Sequence, residues 1–332
     1  MAPRRGGGGG GGSSSGISCD SDAFSREAPR INIAFQSLFC LVAIILYFIA
    51  QSRVSRRKKE GFPLPGKILL ILTILFAAFY YIVALVVIAL IECSPSSYSD
   101  LWPASVTATW LRQLSIYILN VIFLVTIAKK IQNDTGSVQK AVVTYQSAWA
   151  GLIAIFLAAA LAIETVIFDK ANNASDYDDY ELIDDLYNPQ RALWMVYSVV
   201  SVIGILIASV TLIQALRPAQ GLPRGQTLTT WSWILIITAL GYNLTSLGSY
   251  ADRAFGYSRY ITLDSALELE KKGHAVSFLA SFFYSTAFYA ALQLLGFRVS
   301  GIPQSQGFMQ QPGGAGPGPV FSYETRYRGD GR

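Results

Sequence analysis

The chain has 332 residues, of which 52% are hydrophobic and only 14% charged, with a formal net charge of +5. Soluble domains carry about a quarter charged residues, so this composition excludes an ordinary water-soluble fold and points to lipid as the solvent. The three cysteines are too few for a disulfide framework. The basic residues cluster at the edges of apolar runs, which argues for a membrane surface and against nucleic acid as their partner.

Residues 1–30 hold Arg4, Arg5 and a glycine run from Gly6 to Gly12 followed by serines, with no apolar core of a signal peptide. Such a segment buries too little apolar surface to order itself and reads as a disordered tail. A hydrocarbon layer roughly 30 Å thick is crossed by about 20 apolar helical residues. Seven runs of that kind follow: Ile31 to Ala50, Ile68 to Ile91, Trp110 to Ile127, Ala141 to Phe168, Ala192 to Leu216, Leu228 to Leu247 and Ala275 to Leu295. Hydrocarbon offers no partner to free backbone groups, and the short alternating segments of a barrel are absent, so each run is expected to be a helix. The expected fold is all-α: a seven-helix transmembrane domain over residues 31–297, then a Pro/Gly/Gln-rich tail over 298–332.

Loop charge sets the expected orientation. The loop after the first run carries Arg53, Arg56, Arg57, Lys58 and Lys59, and the next loop on that side carries Lys129, Lys130 and Lys140. The opposite loops hold Glu92, Asp100 and a run of carboxylates from Asp169 to Asp185. Positive charge stays in the cytoplasm, which places the N-terminus outside and the C-terminus inside. The cluster from Arg53 to Lys59 can also meet anionic lipid head groups, although a topogenic signal explains it alone. Plasma membrane and endomembrane both fit.

All thirteen prolines lie outside the seven apolar runs, so the helices are expected to be straight. In the fourth run Ala150, Ala154, Ala158 and Ala162 recur every four residues, a candidate stripe for close helix packing. Arg112 and Glu164 fall near the outer ends of the third and fourth runs, where they could pair, and Tyr242 and Asn243 sit inside the sixth. Ionisable groups at membrane depth are expensive and face the bundle interior or snorkel to the interface. These four residues are therefore the candidate lining of a polar cavity, with helix-to-helix bonding as the alternative. Trp102, Trp110, Trp194, Trp231 and Trp233 lie near run ends and read as interfacial anchors.

Among the sequons, only Asn173 falls in an outer loop, and it is the candidate for N-glycosylation. Cys19 and Cys93 fall on the same expected side and form a candidate disulfide. No EF-hand spacing occurs in the acidic loop, and no cofactor motif stands out.

Known seven-helix families leave clear marks, and these are missing here. The last run has no lysine for retinal, and Ala128-Lys129-Lys130 and Ser285-Thr286-Ala287-Phe288-Tyr289 stand where rhodopsin-type receptors carry their signature motifs. The single histidine, His274, cannot make the metal site of a seven-helix zinc hydrolase. Pro189-Gln190 precedes the fifth run, whereas the sugar transporters of this topology place such a pair within a span. In layout and tails the chain resembles the orphan seven-span membrane proteins abundant in filamentous fungi, a resemblance across residues 31–300 that implies no particular ligand. The expected role is non-enzymatic, either receptor-like or scaffolding with cytoplasmic protein partners, or alternatively transport of a small or lipid-like solute.

Overall fold

A computed structural model of the chain describes residues 24, 27–56, 64–93, 101–135, 140–173, 177–217, 225–255 and 263–296. Among these residues every regular element is helical: α1 (Glu27–Arg56), α2 (Leu64–Cys93), α3 (Trp102–Val121), a π-helical turn (Ile122–Ile127), α4 (Ala128–Thr135), α5 (Lys140–Asn173), α6 (Tyr177–Leu216), α7 (Gly225–Phe255) and α8 (Leu263–Gly296). α3, the π turn and α4 form one continuous rod. Seven rods result, each long and apolar enough to cross a membrane. The protein is a multi-pass membrane protein with an all-α seven-helix bundle.

Local chemistry explains the ends. Pro103 stands in the first turn of α3, where a missing N–H costs nothing. α6 ends at Leu216, just before Arg217-Pro218, because the residue preceding a proline is driven out of the helical region. α6 also begins well before the fifth apolar run and contains Pro189. The expectation of proline-free helices therefore fails at this position, since the helix extends outward beyond the apolar run that revealed it. The π turn is a second departure from straight α-helix. Nothing in the apolar pattern of the third run marks it.

Neighbours in sequence pack as neighbours in space: α1 with α2, α2 with α3, α3 with α5, α5 with α6, α6 with α7 and α7 with α8, and α1 against α8 closes the ring. The third rod is the central one, with 61% of its apolar window buried against 22% for α2. The outer faces carry large apolar side chains, as at Phe48, Ile155 and Ile237, which are 64%, 66% and 60% exposed. Helices apolar on both faces are stable against lipid and would be a liability in water.

Because the rods alternate in direction, the bundle has one end holding Glu27, Cys93, Trp102 and Asn173 and another holding Arg56, Thr135, Leu216 and Gly296. Toward the second end the described side chains bury one another. Ile122, Phe123, Leu124 and Ile127 of the π turn lie fully buried with Ile205, Leu212, Phe288 and Leu295. Lys130 donates from Nζ to the carbonyl oxygens of Leu294 and Leu295 at 2.9 and 3.0 Å, and Arg53 donates to Gln293 Oε1 at 2.8 Å. A cation at a helix C-terminus satisfies orphan carbonyls and opposes the helix dipole.

Across the middle, Ser115 Oγ donates to the Thr73 carbonyl at 2.8 Å and also bonds the Tyr284 hydroxyl, tying α2, α3 and α8 together. Gln146 Nε2 donates to Thr211 Oγ1 at 2.8 Å and Trp149 Nε1 to the Val200 carbonyl at 3.0 Å, which joins α5 to α6. Trp149 lies over Gly204, where a Cβ would meet its Cδ1 and Nε1 at 2.6 Å.

The alanine stripe does not form the packing seam of α5. Ala150 is buried and Ala154 half-buried, but Ala158 and Ala162 are exposed, while Ile153, Leu157, Ala160 and Leu161 point inward. A four-residue repeat on a helix of 3.6 residues per turn drifts about 40° per step, so the stripe rotates off the interface by its third member.

Candidate functional site

The end of the bundle that holds Glu27 is hollow. An open cavity of about 530 Å³ runs into it, lined by every rod except α1. Pockets that hold drug-sized ligands range from about 300 to 1,000 Å³. Tyr80 reaches it from α2, Arg112 and Gln113 from α3, and Glu164 from α5. α6 contributes Tyr187, Arg191, Trp194, Tyr197 and Ser198, and α7 contributes Tyr242, Asn243, Ser246 and Tyr250. The structure thus brings Arg112, Glu164, Tyr242 and Asn243 to one space.

Within the cavity the Arg112 guanidinium lies over the ring face of Tyr80, with Cζ 5.7 Å from the centroid. The Tyr242 and Tyr250 phenols line the same cavity, with the Tyr242 hydroxyl within hydrogen-bond reach of the guanidinium. A cation on an aromatic face gains from the ring quadrupole, and more so where water is scarce. Arg191 is similarly placed over Tyr187, at 5.8 Å. Glu164 and Arg191 each have interaction partners of their own. Asn243 donates from Nδ2 to the Ala239 carbonyl one turn back, at 2.8 Å, so its amide nitrogen is satisfied within α7.

The far wall is aromatic. The Trp194 and Tyr250 rings stack with centroids 5.3 Å apart and 5° between planes, and Tyr197 meets Trp194 edge-on at 5.6 Å. Gln113 Nε2 donates to the Tyr250 hydroxyl at 3.2 Å, linking α3 to α7 at the cavity lining. Trp194 is therefore no interfacial anchor: it is 6% exposed and faces the interior, because α6 carries it well inside the helix end. Beside it, the Ser198 hydroxyl is buried without a hydrogen-bond partner, and the buried Tyr197 hydroxyl has only that of Ser201, one turn deeper, within reach.

Polar character continues past the floor. A void of about 20 Å³ shares Tyr80, Arg112 and Tyr242 with the cavity and adds Ser115 and Tyr284. Another of about 10 Å³ shares Tyr242 and Asn243 and adds Asn120, whose Nδ2 is buried and unpartnered. Both are water-sized. Beyond them lies the apolar plug around Ile122, Phe123 and Phe288.

The other expected features divide. Cys93 is disulfide-bonded and Cys40 is a free, buried thiol, while Cys19 lies outside the described residues. Asn173 is the last residue of α5. Of the basic cluster, Arg53 contacts Gln293, Arg56 ends α1, and Arg57, Lys58 and Lys59 lie outside the described residues, as do most of both tails. No group of three or more His, Cys, Asp or Glu side chains that could hold a metal occurs among the described residues.

Sequence reasoning passed over Trp194, Tyr197, Ser198, Arg191 and Tyr250. Serine and tyrosine barely lower hydropathy, so their placement on one wall left no trace in the apolar runs. Compared with known proteins, the chain matches no family model, no curated protein and no solved structure.

Proposed function

We propose that the chain is a non-enzymatic, receptor-like membrane protein that captures a small polar ligand in the cavity between α2, α3 and α5 to α8. One observation carries the reading: about 530 Å³ of polar and aromatic-lined space sits at one end of the bundle, while the other end is filled and latched. A purely scaffolding protein has no use for such a space, because unfilled polar volume in a bundle lowers stability. Against catalysis, the cavity lining among the described residues includes neither histidine nor cysteine, so its serines have no imidazole base there.

The loop charges assign the hollow end to the outside and the latched end to the cytoplasm, with the basic cluster from Arg53 to Lys59 against anionic inner-leaflet lipid and the C-terminal tail free for protein partners. Plasma membrane and endomembrane remain equally suited. On the same outer side, Cys93 pairs with Cys19 and Asn173 is accessible to glycosylation.

The test is ligand-dependent stabilisation of the purified full chain in detergent, since a compound that binds only the folded state raises its melting temperature. Stabilising compounds are expected to lose their effect on an Ala108→Trp variant, which fills the cavity from α3. Stabilisation that survives this substitution places binding elsewhere and removes the reading.

A second reading, transport, is favoured by the two water-sized voids that adjoin the cavity, one beside Ser115 and Tyr284 and the other beside Asn120. Accumulation of a stabilising compound in proteoliposomes, absent from empty vesicles, selects transport over reception.

A further inference from the structure

The cavity's chemistry narrows what it can hold, and the narrowing rests on the ligand-binding reading above. Its charged lining residues are Arg112, Arg191 and Glu164. Glu164 and Arg191 have partners of their own, whereas Arg112 stands against the Tyr80 ring and beside the Tyr242 phenol. A guanidinium at membrane depth surrounded by phenols is a standing anion site, because its planar fork of donors matches carboxylate and phosphate. The Tyr80 π face softens the exposure of the charge but accepts none of its in-plane N–H bonds, and among the phenols around it the Tyr242 hydroxyl is the one within hydrogen-bond reach.

On the wall formed by α6, Tyr197 and Ser198 are 5% and 3% exposed; the Ser198 hydroxyl has no hydrogen-bond partner, and that of Tyr197 has only the Ser201 hydroxyl, one turn deeper, within reach. Buried polar groups are nearly always hydrogen-bonded, so under-satisfied hydroxyls side by side on a cavity wall mark the place where a guest supplies the bonds. A hydroxyl both donates and accepts, and the complementary guest group is another hydroxyl. The same cavity is lined by the parallel Trp194 and Tyr250 pair, an aromatic surface against which an aliphatic or ring face lies without needing further hydrogen bonds.

We infer that the cavity binds a small hydroxylated organic anion, with its carboxylate or phosphate on Arg112, its hydroxyls on Tyr197 and Ser198, and its carbon skeleton against Trp194 and Tyr250. A soluble acid and a lipid head group such as phosphatidylglycerol share this chemistry.

The experiment uses the full chain in phosphatidylcholine nanodiscs, with tryptophan fluorescence and thermal melting as readouts. Gluconate, hexanoate and sorbitol serve as probes: hydroxylated anion, plain anion and neutral polyol. Gluconate is expected to bind at least tenfold more tightly than either of the others and to change the emission of the native chain but not of Trp194→Phe. Arg112→Met is expected to abolish gluconate binding and Arg112→Lys to keep part of it. Tyr197→Phe with Ser198→Ala, which leaves the charge in place, is expected to reduce gluconate to the affinity of hexanoate. This pair keeps the proposal testable where an Arg112 variant fails to fold. Added phosphatidylglycerol that competes with gluconate assigns the site to a head group, and lack of competition assigns it to a soluble acid; either result keeps the proposal. Sorbitol binding as tightly as gluconate, or gluconate binding undiminished in the two sets of variants, overturns the inference but leaves a ligand cavity standing. If gluconate, hexanoate, sorbitol and phosphatidylglycerol all fail to bind, the inference falls, and the cavity reading then stands or falls on the Ala108→Trp test.

Discussion

The Lys130 ammonium, carried on α4 just past the π turn, lies 3.0 Å from the carbonyl oxygen of Leu295 in the last turn of α8. Together with its bond to the Leu294 carbonyl, this contact latches the central rod to the final helix at the filled end of the bundle. Charge-assisted bonds of this kind contribute roughly 1.5 to 3 kcal/mol. Lys130→Met keeps the aliphatic stem and removes the donors. It should lower the melting temperature of the purified chain measurably, whereas Lys129→Met, at the exposed neighbour, should not. Equal melting of the two variants would show that the latch contributes nothing.

Gly204 tolerates no side chain. A Cβ there meets the Trp149 ring at 2.6 Å, and Trp149 is itself held by its bond to the Val200 carbonyl. Gly204→Ala should destabilise the chain by about 1 to 3 kcal/mol, the usual range for overpacking. Combining it with Trp149→Leu should recover part of the loss. Additive losses in the double variant would separate the two residues energetically.

The hydroxyl of Tyr284 bonds Ser115 and donates to the Thr73 carbonyl at 3.3 Å, so it ties α8 to both α2 and α3. Bonds between helices in lipid are worth about 0.6 to 2 kcal/mol. Tyr284→Phe should therefore cost on the order of 1 kcal/mol and no more, as measured by reversible unfolding in mixed micelles. A loss several times larger would mean that the hydroxyl supports more than these two contacts.

The Phe24 amide donates to Glu92 Oε2 at 3.4 Å, which brings the segment preceding α1 to the end of α2 where Cys93 sits. Under a Cys19 to Cys93 pairing, the denatured, unreduced chain should take up one maleimide, on Cys40, and Cys19→Ser should take up two. Loss of one label in Cys19→Ser relative to the native chain would assign Cys93 another partner.

For orientation, a C-terminal epitope should become accessible to antibody only after the membrane of intact cells is permeabilised, and removal of the Asn173 sequon should eliminate any glycan. A C-terminal epitope reached without permeabilisation reverses the loop-charge argument.

The seven helices were legible because a run of about 20 apolar residues has few alternatives in a chain this poor in charge. Arg112 and Glu164 were legible as charges at a shared depth, and Tyr242 and Asn243 as polar residues inside the sixth run; a common cavity and helix-to-helix bonding fitted them equally, because which faces meet is set by packing that a linear reading does not contain. Trp194 was misread as an anchor because the apolar run begins at Ala192, while the helix begins at Tyr177. The hydroxyl wall stayed hidden because an orphaned bond is a property of neighbours, which one chain read in a line does not display. The alanines misled because a repeat of four looks like a face on paper and is a slow spiral in space.

A hollow that admits solvent from one side carries that side's electrical potential down to Tyr242 and Asn243. The voltage across the membrane then falls mainly over the thin apolar layer of Ile122, Phe123, Ile127 and Phe288. An ion arriving at Arg112 crosses little of the field, so its affinity should be nearly indifferent to polarisation. Moving it one layer further would expose it to almost the full drop, about 2.3 kcal/mol per elementary charge for every 100 mV.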